Sequence, residues 1–226
     1  FLDGLKVWQK KAEIVDSRDS VVDIKVAPPH EGLRIATCSA DGQVRIFDAL
    51  DTSNLATGLL HLPLNQTVEK VAKLARFLMQ LKKKNQGSNC ISWNPSHGEP
   101  PMIVEGNVDG IATVWEHKPN GSWEVVYKLV GHKGEILDVS WAPNLEGGSR
   151  VFILFFGIFE ILTTTKGLQH HRNGLKDRTV RLWRLPSRLS PAKFDAHEMA
   201  ILPHESTVWQ VEWNVLGTVL ATSIDG

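Results

Sequence analysis

Four short apolar runs recur along this chain in one pattern, and a repeat of that kind restricts the fold more than any other feature of the sequence. They are Val21-Val22-Asp23-Ile24-Lys25-Val26-Ala27-Pro28, Cys90-Ile91-Ser92-Trp93-Asn94-Pro95, Leu137-Asp138-Val139-Ser140-Trp141-Ala142-Pro143 and Val208-Trp209-Gln210-Val211-Glu212-Trp213-Asn214. Each alternates apolar and polar residues, as a half-buried strand does, and then meets a stop. A second run ending in an Asp turn follows three of them: Ile35 to Asp41-Gly42, Met102 to Asp109-Gly110, and Leu220 to Asp225-Gly226. Asp-Gly between alternating runs is a hairpin signal, because glycine supplies the positive φ of a tight turn.

A third run ends on an aromatic: Phe47 in Gln43-Val44-Arg45-Ile46-Phe47, Trp115 in Ala112-Thr113-Val114-Trp115, and Trp183 in Thr179-Val180-Arg181-Leu182-Trp183. A fourth, Trp123 to Val130, precedes Gly131-His132, the pair that opens the next unit. Asp41, Asp109, Asp177 and Asp225 stand 68, 68 and 48 residues apart. A plain WD repeat takes about 40 to 45 residues, so the longer units must hold insertions. The expected fold is an all-β WD-repeat β-propeller, incomplete, with parts of about four blades. Such sheets cannot bury both faces alone, and radial packing around a channel buries them. Asp177, His132 and Trp183 are expected to form a hydrogen-bond chain within one blade, with the carboxylate accepting from the imidazole. The structural blade residues singled out are Asp41, Gly42, Phe47, Asp109, Gly110, Trp115, His132, Trp141, Asp177, Trp183, Trp213 and Asp225.

Composition agrees with a globular chain able to bury one substantial core, at 42% hydrophobic and 22% charged residues in 226. Lys+Arg and Asp+Glu are both 25. That balance gives no global field toward nucleic acid or an anionic membrane. Cys38 and Cys90 lie in strand-like runs and are read as buried thiols, suiting a reducing compartment. There is no initiator Met and no signal-peptide pattern, and the last residues stop on a turn signal, so both ends are expected to be cut.

No catalytic cluster stands out. Gly-x-Ser-x-Gly and phosphate loops are absent. A His/Asp pair alone lacks the nucleophile and pocket that acid-base chemistry needs. The adjacent His170 and His171 have no accompanying ligand at metal spacing. No cofactor is expected, and the enzyme class gives way to a protein-interaction class. The eight Trp fall mostly at repeated strand positions, which suits core better than a base-stacking platform.

Val15-Asp16-Ser17-Arg18 through Arg45-Ile46-Phe47 resembles the small WD-repeat nucleoporins of the Seh type. So, in the same order, do Cys90 to Ser96, Pro101-Met102-Ile103, Ser140 to Leu145, Val208 to Asn214 and Gly217 to Ala221. That resemblance implies an open six-bladed propeller completed by a blade that a partner inserts, which is strand addition to an exposed edge. It implies a structural role in the Y-shaped outer ring of the nuclear pore, supporting nucleocytoplasmic transport, with other outer-ring nucleoporins as partners. A further role in a nutrient-signalling complex at the lysosomal or vacuolar membrane belongs to the same family. With parts of about four blades by the repeat count, the blade that opens the family's propeller is expected to be missing from this sequence. The alternatives are the related COPII-type coat propeller and a ubiquitin-ligase adaptor.

Within the single truncated propeller domain over 1–226, two stretches depart from the pattern. Residues 67–84 place Val68, Val71, Leu74, Leu78 and Leu81 at steps of three and four among lysines, which predicts an amphipathic helical insertion. Residues 151–176 are an atypical insertion. Their apolar start occupies a second-strand position and is shorter than the roughly 20 residues of a membrane span. The part from Thr163 to Lys176 matches no blade element, and the segment 151–176 is expected to be mis-assigned coding sequence, which a transcript lacking it would support and one containing it in frame would refute.

Overall fold

The structure, a computed structural model, describes residues 14–49, 75–82, 87–143, 158–165, 178–186 and 195–225. Three four-stranded antiparallel sheets and one hairpin follow one another along the chain. The first sheet holds β1 (Val21–Val26), β2 (Arg34–Ser39), β3 (Gln43–Ala49) and β4 (Ala75–Lys82). The second holds β5 (Ser88–Trp93), β6 (Met102–Asn107), β7 (Ile111–His117) and β8 (Trp123–Val130). The third holds β9 (Ile136–Trp141), β10 (Ile158–Thr165), β11 (Thr179–Pro186) and β12 (His197–Pro203). The hairpin is β13 (Val208–Trp213) with β14 (Leu220–Ile224). Each sheet keeps chain order and neighbouring strands run antiparallel, the meander of a propeller blade. Among the described residues the sheets do not close on themselves, which fits an incomplete propeller.

The apolar cores lie between sheets. Strand periodicity decides this, since successive side chains point to opposite faces. In β6 every residue is buried. Ile103 joins Ala36, Cys38, Val44 and Ile46 of the first sheet. Its neighbours Met102 and Val104 join Ile136, Val139 and Trp141 of the third. A smaller third cluster, around Val180, Val208 and Val211, seats the hairpin on the third sheet.

Gly106 shows how close this packing is. A Cβ there would lie 2.5 Å from Cys90 Sγ and 2.7 Å from Ile136 Cγ2 of the next sheet. Gly106→Ala is therefore expected to cost about 1–3 kcal/mol through overpacking, read as a lower urea midpoint with an unchanged slope.

Two expectations are corrected. Where a helix was expected over 67–84, residues Ala75–Lys82 form a strand, β4, paired with β3 from Val44↔Leu81 to Ala49↔Ala75. The ladder to β3 satisfies the backbone of both strands, and that non-local pairing overrides the local three-and-four spacing. Residues 67–74 and 83–84 lie outside the described residues. In the atypical stretch 151–176, Ile158–Thr165 is the second strand of the third sheet, paired with both β9 and β11. This stretch therefore supplies a blade element, including Thr163, Thr164 and Thr165, and does not merely separate two repeat halves. Residues 151–157 and 166–176, with His170 and His171, lie outside the described residues.

Candidate functional site: blade turns, blade junctions and the inner cleft

The Asp turns form as the repeat requires. Gly42 and Gly110 adopt φ of +74° and +77°, left-handed values that favour glycine. Asp41 Oδ1 accepts the Gln43 backbone N–H at 3.1 Å, and Asp109 Oδ1 accepts that of Ile111, also at 3.1 Å. A Cβ on Gly110 would approach the carbonyl oxygens of His132 and Gly134 to 2.8 Å, so this turn is seated on the loop opening the next repeat.

Around Asp41 the first blade builds a charged network. Arg45, 2% exposed, donates from Nη1 to Asp41 Oδ1 at 3.2 Å and from Nη2 to Oδ2 at 2.5 Å, while the Arg18 backbone N–H reaches Oδ2 at 3.2 Å. Burial pushes this carboxyl up, but the hydrogen bonds from Arg45 and Arg18 and the guanidinium charge outweigh it and hold the carboxyl below its usual value. A lowered folded-state value means that the charge contributes stability fully present above about pH 4 and lost as the pH falls through the folded-state value. Asp41→Asn is thus expected to shrink the stability difference between pH 7 and pH 3 measured by urea unfolding.

Phe47, Trp115 and Trp183 occupy the repeated aromatic position, and all three are buried. Trp115 Nε1 donates to the buried Glu105 Oε2 at 3.1 Å. His132 is buried, and Gly131 before it lies against Trp183 and the Arg181–Glu198 ion pair of the third sheet. Of the expected chain through His132, Asp177 and Trp183, Asp177 lies outside the described residues, and buried Trp183 Nε1 has no hydrogen-bond partner among them. In the hairpin, Asp225 Oδ1 accepts Trp209 Nε1 at 2.6 Å and its carbonyl accepts Ser206 Oγ at 2.8 Å, both exposed. Trp141 is buried in the junction of the second and third sheets, and Trp213 packs on the junction of the third sheet with the hairpin.

Sequence reasoning missed the residues that staple blade to blade. Asp23 Oδ1 accepts its neighbour's N–H, from Ile24 at 2.8 Å, and Oδ2 accepts Ile91 N–H of the next sheet at 3.0 Å. Asp138 repeats this with Val139 and with Val211 of the hairpin, both at 2.9 Å. Between them the second sheet has Cys90 at the same position, and there Ser92 Oγ instead accepts the Trp141 N–H at 3.2 Å. Trp93 Nε1 adds a bond to Lys25 O at 3.2 Å. An acid at the third position of Val21-Val22-Asp23 and of Ile136-Leu137-Asp138 was the visible signal. Burial pushes the Asp138 carboxyl up, against the pull of the Val211 and Val139 N–H groups. Burial, with the Asp23 charge beside it, likewise pushes the Cys38 thiol up to about 12, and burial with the Asp138 charge raises that of Cys90, so both are held protonated and unreactive near neutral pH.

An open cleft of about 460 Å³ runs along the inner strands, lined by Lys25, Trp93, Asp138, Trp141, Glu212 and Trp213 among others. Among the described residues no three His, Cys, Asp or Glu side chains are grouped to hold a metal ion, and no helix is long and apolar enough to cross a membrane. Of the acids that line the cleft, Asp138 is engaged at two backbone N–H groups.

Residues 12–48, which include β1, β2 and most of β3, match the family described as WD domain, G-beta repeat. The whole chain is similar to nucleoporin SEH1-A of Xenopus laevis and nucleoporin SEH1 of Homo sapiens. Each is 34% identical over 235 residues, covering 99% of this chain and 56% of the relative. This is a WD-repeat chain homologous to the SEH1 nucleoporins. Nucleoporin SEH1 of Danio rerio agrees, at 33% identity over 239 residues, 98% of this chain and 55% of the relative. The chain thus spans a little over half the length of the curated relatives it matches.

Proposed function

We propose that the protein is a non-catalytic structural scaffold of the nuclear pore outer ring, supporting nucleocytoplasmic transport by holding other nucleoporins, one of which adds a blade to the open propeller. The observation that carries this reading is 34% identity to SEH1 nucleoporins over 99% of the chain. The physical chemistry is consistent with it. Buried polar groups of the WD-repeat turns hold each sheet together, as Arg45 does with Asp41 and Glu105 with Trp115, and those of the junctions hold sheets to one another, as Asp23 and Asp138 do. An open row of sheets also leaves faces to which another sheet adds. Imaging of the fluorescently tagged full-length gene product tests the location: a nuclear-rim signal coincident with a pore marker is expected, and a diffuse cytosolic or endoplasmic-reticulum exit-site pattern would overturn the proposal.

A further inference from the structure

The hairpin tip between β7 and β8 repeats the geometry of the Asp turns with different chemistry. Gly121 has a φ of +83°, and its N–H donates to Lys118 O at 2.9 Å. Asn120 Oδ1 accepts the Ser122 backbone N–H at 2.9 Å, as Asp41 and Asp109 accept those of Gln43 and Ile111. Two differences set this turn apart. Its side chain is a neutral amide, and the residue two places on is a serine whose Oγ also donates to Oδ1, at 2.7 Å. Asn120 and Gly121 are exposed, and a Cβ at Gly121 would meet nothing within 4 Å.

An asparagine followed by glycine carries its own nucleophile. The Gly121 backbone nitrogen, with no side chain beside it to hinder approach, adds to Asn120 Cγ. The charge created by that addition collects on Oδ1, where the Ser122 N–H and O–H already donate, and donors held where charge develops lower the barrier. The hydrogen bonds of the Asn120 side chain all run to Oδ1, so none holds Nδ2, the group that must leave. The Lys118 carbonyl is the restraint, since it holds the Gly121 N–H. An exposed hairpin tip opens locally at small cost, and the opening needed here breaks that bond without breaking those between Asn120 and Ser122. Asp41 and Asp109 lack this reactivity, because a carboxylate resists nucleophilic addition and Gln43 and Ile111 have no hydroxyl to offer.

We propose that Asn120 is a deamidation site of the folded protein, with the Ser122 hydroxyl as oxyanion donor. Gly121 N loses its proton to hydroxide and bonds to Asn120 Cγ. The bond from Cγ to Nδ2 then breaks, and the nitrogen leaves as ammonia with a proton from water, closing a succinimide ring. Water opens the ring to aspartate or isoaspartate. The aspartate product has the Asp-Gly chemistry that the same turn already uses at Asp41 and Asp109, so the fold accepts it, and the hairpin tip gains a negative charge.

The test holds the folded full-length gene product in mildly alkaline buffer and samples it over time. Peptide mapping by mass spectrometry separates Asn, Asp and isoaspartate at position 120 and keeps them apart from Asn173, the other asparagine that precedes a glycine. Asn120 is expected to convert in the folded protein. Ser122→Ala is expected to slow the conversion about three- to tenfold, the worth of one hydrogen bond, and Ser122→Thr, which keeps the hydroxyl, to run near the parent rate. If Asn120 persists in the folded protein but converts once the chain is unfolded in urea, the turn protects it and the proposal is overturned. Conversion of Ser122→Ala at the parent rate, or of Ser122→Thr as slowly as Ser122→Ala, would overturn the role of the hydroxyl.

Discussion

Asp41→Ala is expected to lower the unfolding free energy of the chain by about 3–5 kcal/mol. Removing the carboxylate strands the guanidinium of Arg45, which is 2% exposed and donates two hydrogen bonds to that side chain. The loss comes from leaving a buried charge uncompensated, and the pair itself contributes much less. The double variant Asp41→Ala with Arg45→Met should therefore recover part of the loss, because no charge is left in the site. Urea unfolding followed by tryptophan fluorescence reads both, and a double variant no more stable than Asp41→Ala would contradict the explanation.

A loss of similar size, about 3–5 kcal/mol, is expected for Trp115→Ala. Trp115 lies between the first two sheets, within the cluster that includes Cys38, Ile46, Ile91 and Ile103, so truncation opens a cavity at a junction where neither sheet collapses alone. It also removes the indole N–H from buried Glu105. Trp115→Phe should cost clearly less, since Phe47 fills the equivalent place in the first blade and is buried. A Phe variant as unstable as the Ala variant would shift the cause from volume to the Glu105 hydrogen bond.

Much of the architecture was legible because the repeat uses the simplest physical signal, alternation of apolar and polar residues ended by a turn. The inner strands, the Asp-Gly turns at Asp41 and Asp109 and the aromatic third strands lie where that alternation puts them. The misreadings occurred where partner strands decide. In Ala75–Lys82 the apolar residues also fall at steps of three and four, and only the ladder to β3 makes the segment a strand. Ile158–Thr165 lies in a run without turn signals, and its identity as a blade strand rests on β9 and β11, neither of which adjoins it in sequence.

The staples escaped for a related reason. An Asp inside an alternating run reads as a solvent-facing position, yet the groups that Asp23 and Asp138 bind across the junctions are 68 and 73 residues away. Nothing local to Asp23 distinguishes it from Lys25 two residues on. What would have revealed it was comparison between repeats, since an acid recurs at the same place in the first and third units and is replaced by Cys90 and Gln210 in the second and fourth. That comparison identifies the aromatic and turn positions as well; within one run the apolar residues on either side dominate the pattern and hide the acid.

The most direct test of the scaffold reading is affinity purification of the tagged full-length gene product from the cells that express it, with mass-spectrometric identification of what accompanies it at moderate salt. The reading predicts co-purification of outer-ring nucleoporins in near-stoichiometric amounts. Recovery of vesicle-coat subunits, a ubiquitin ligase or a nutrient-signalling complex without any outer-ring nucleoporin would contradict it.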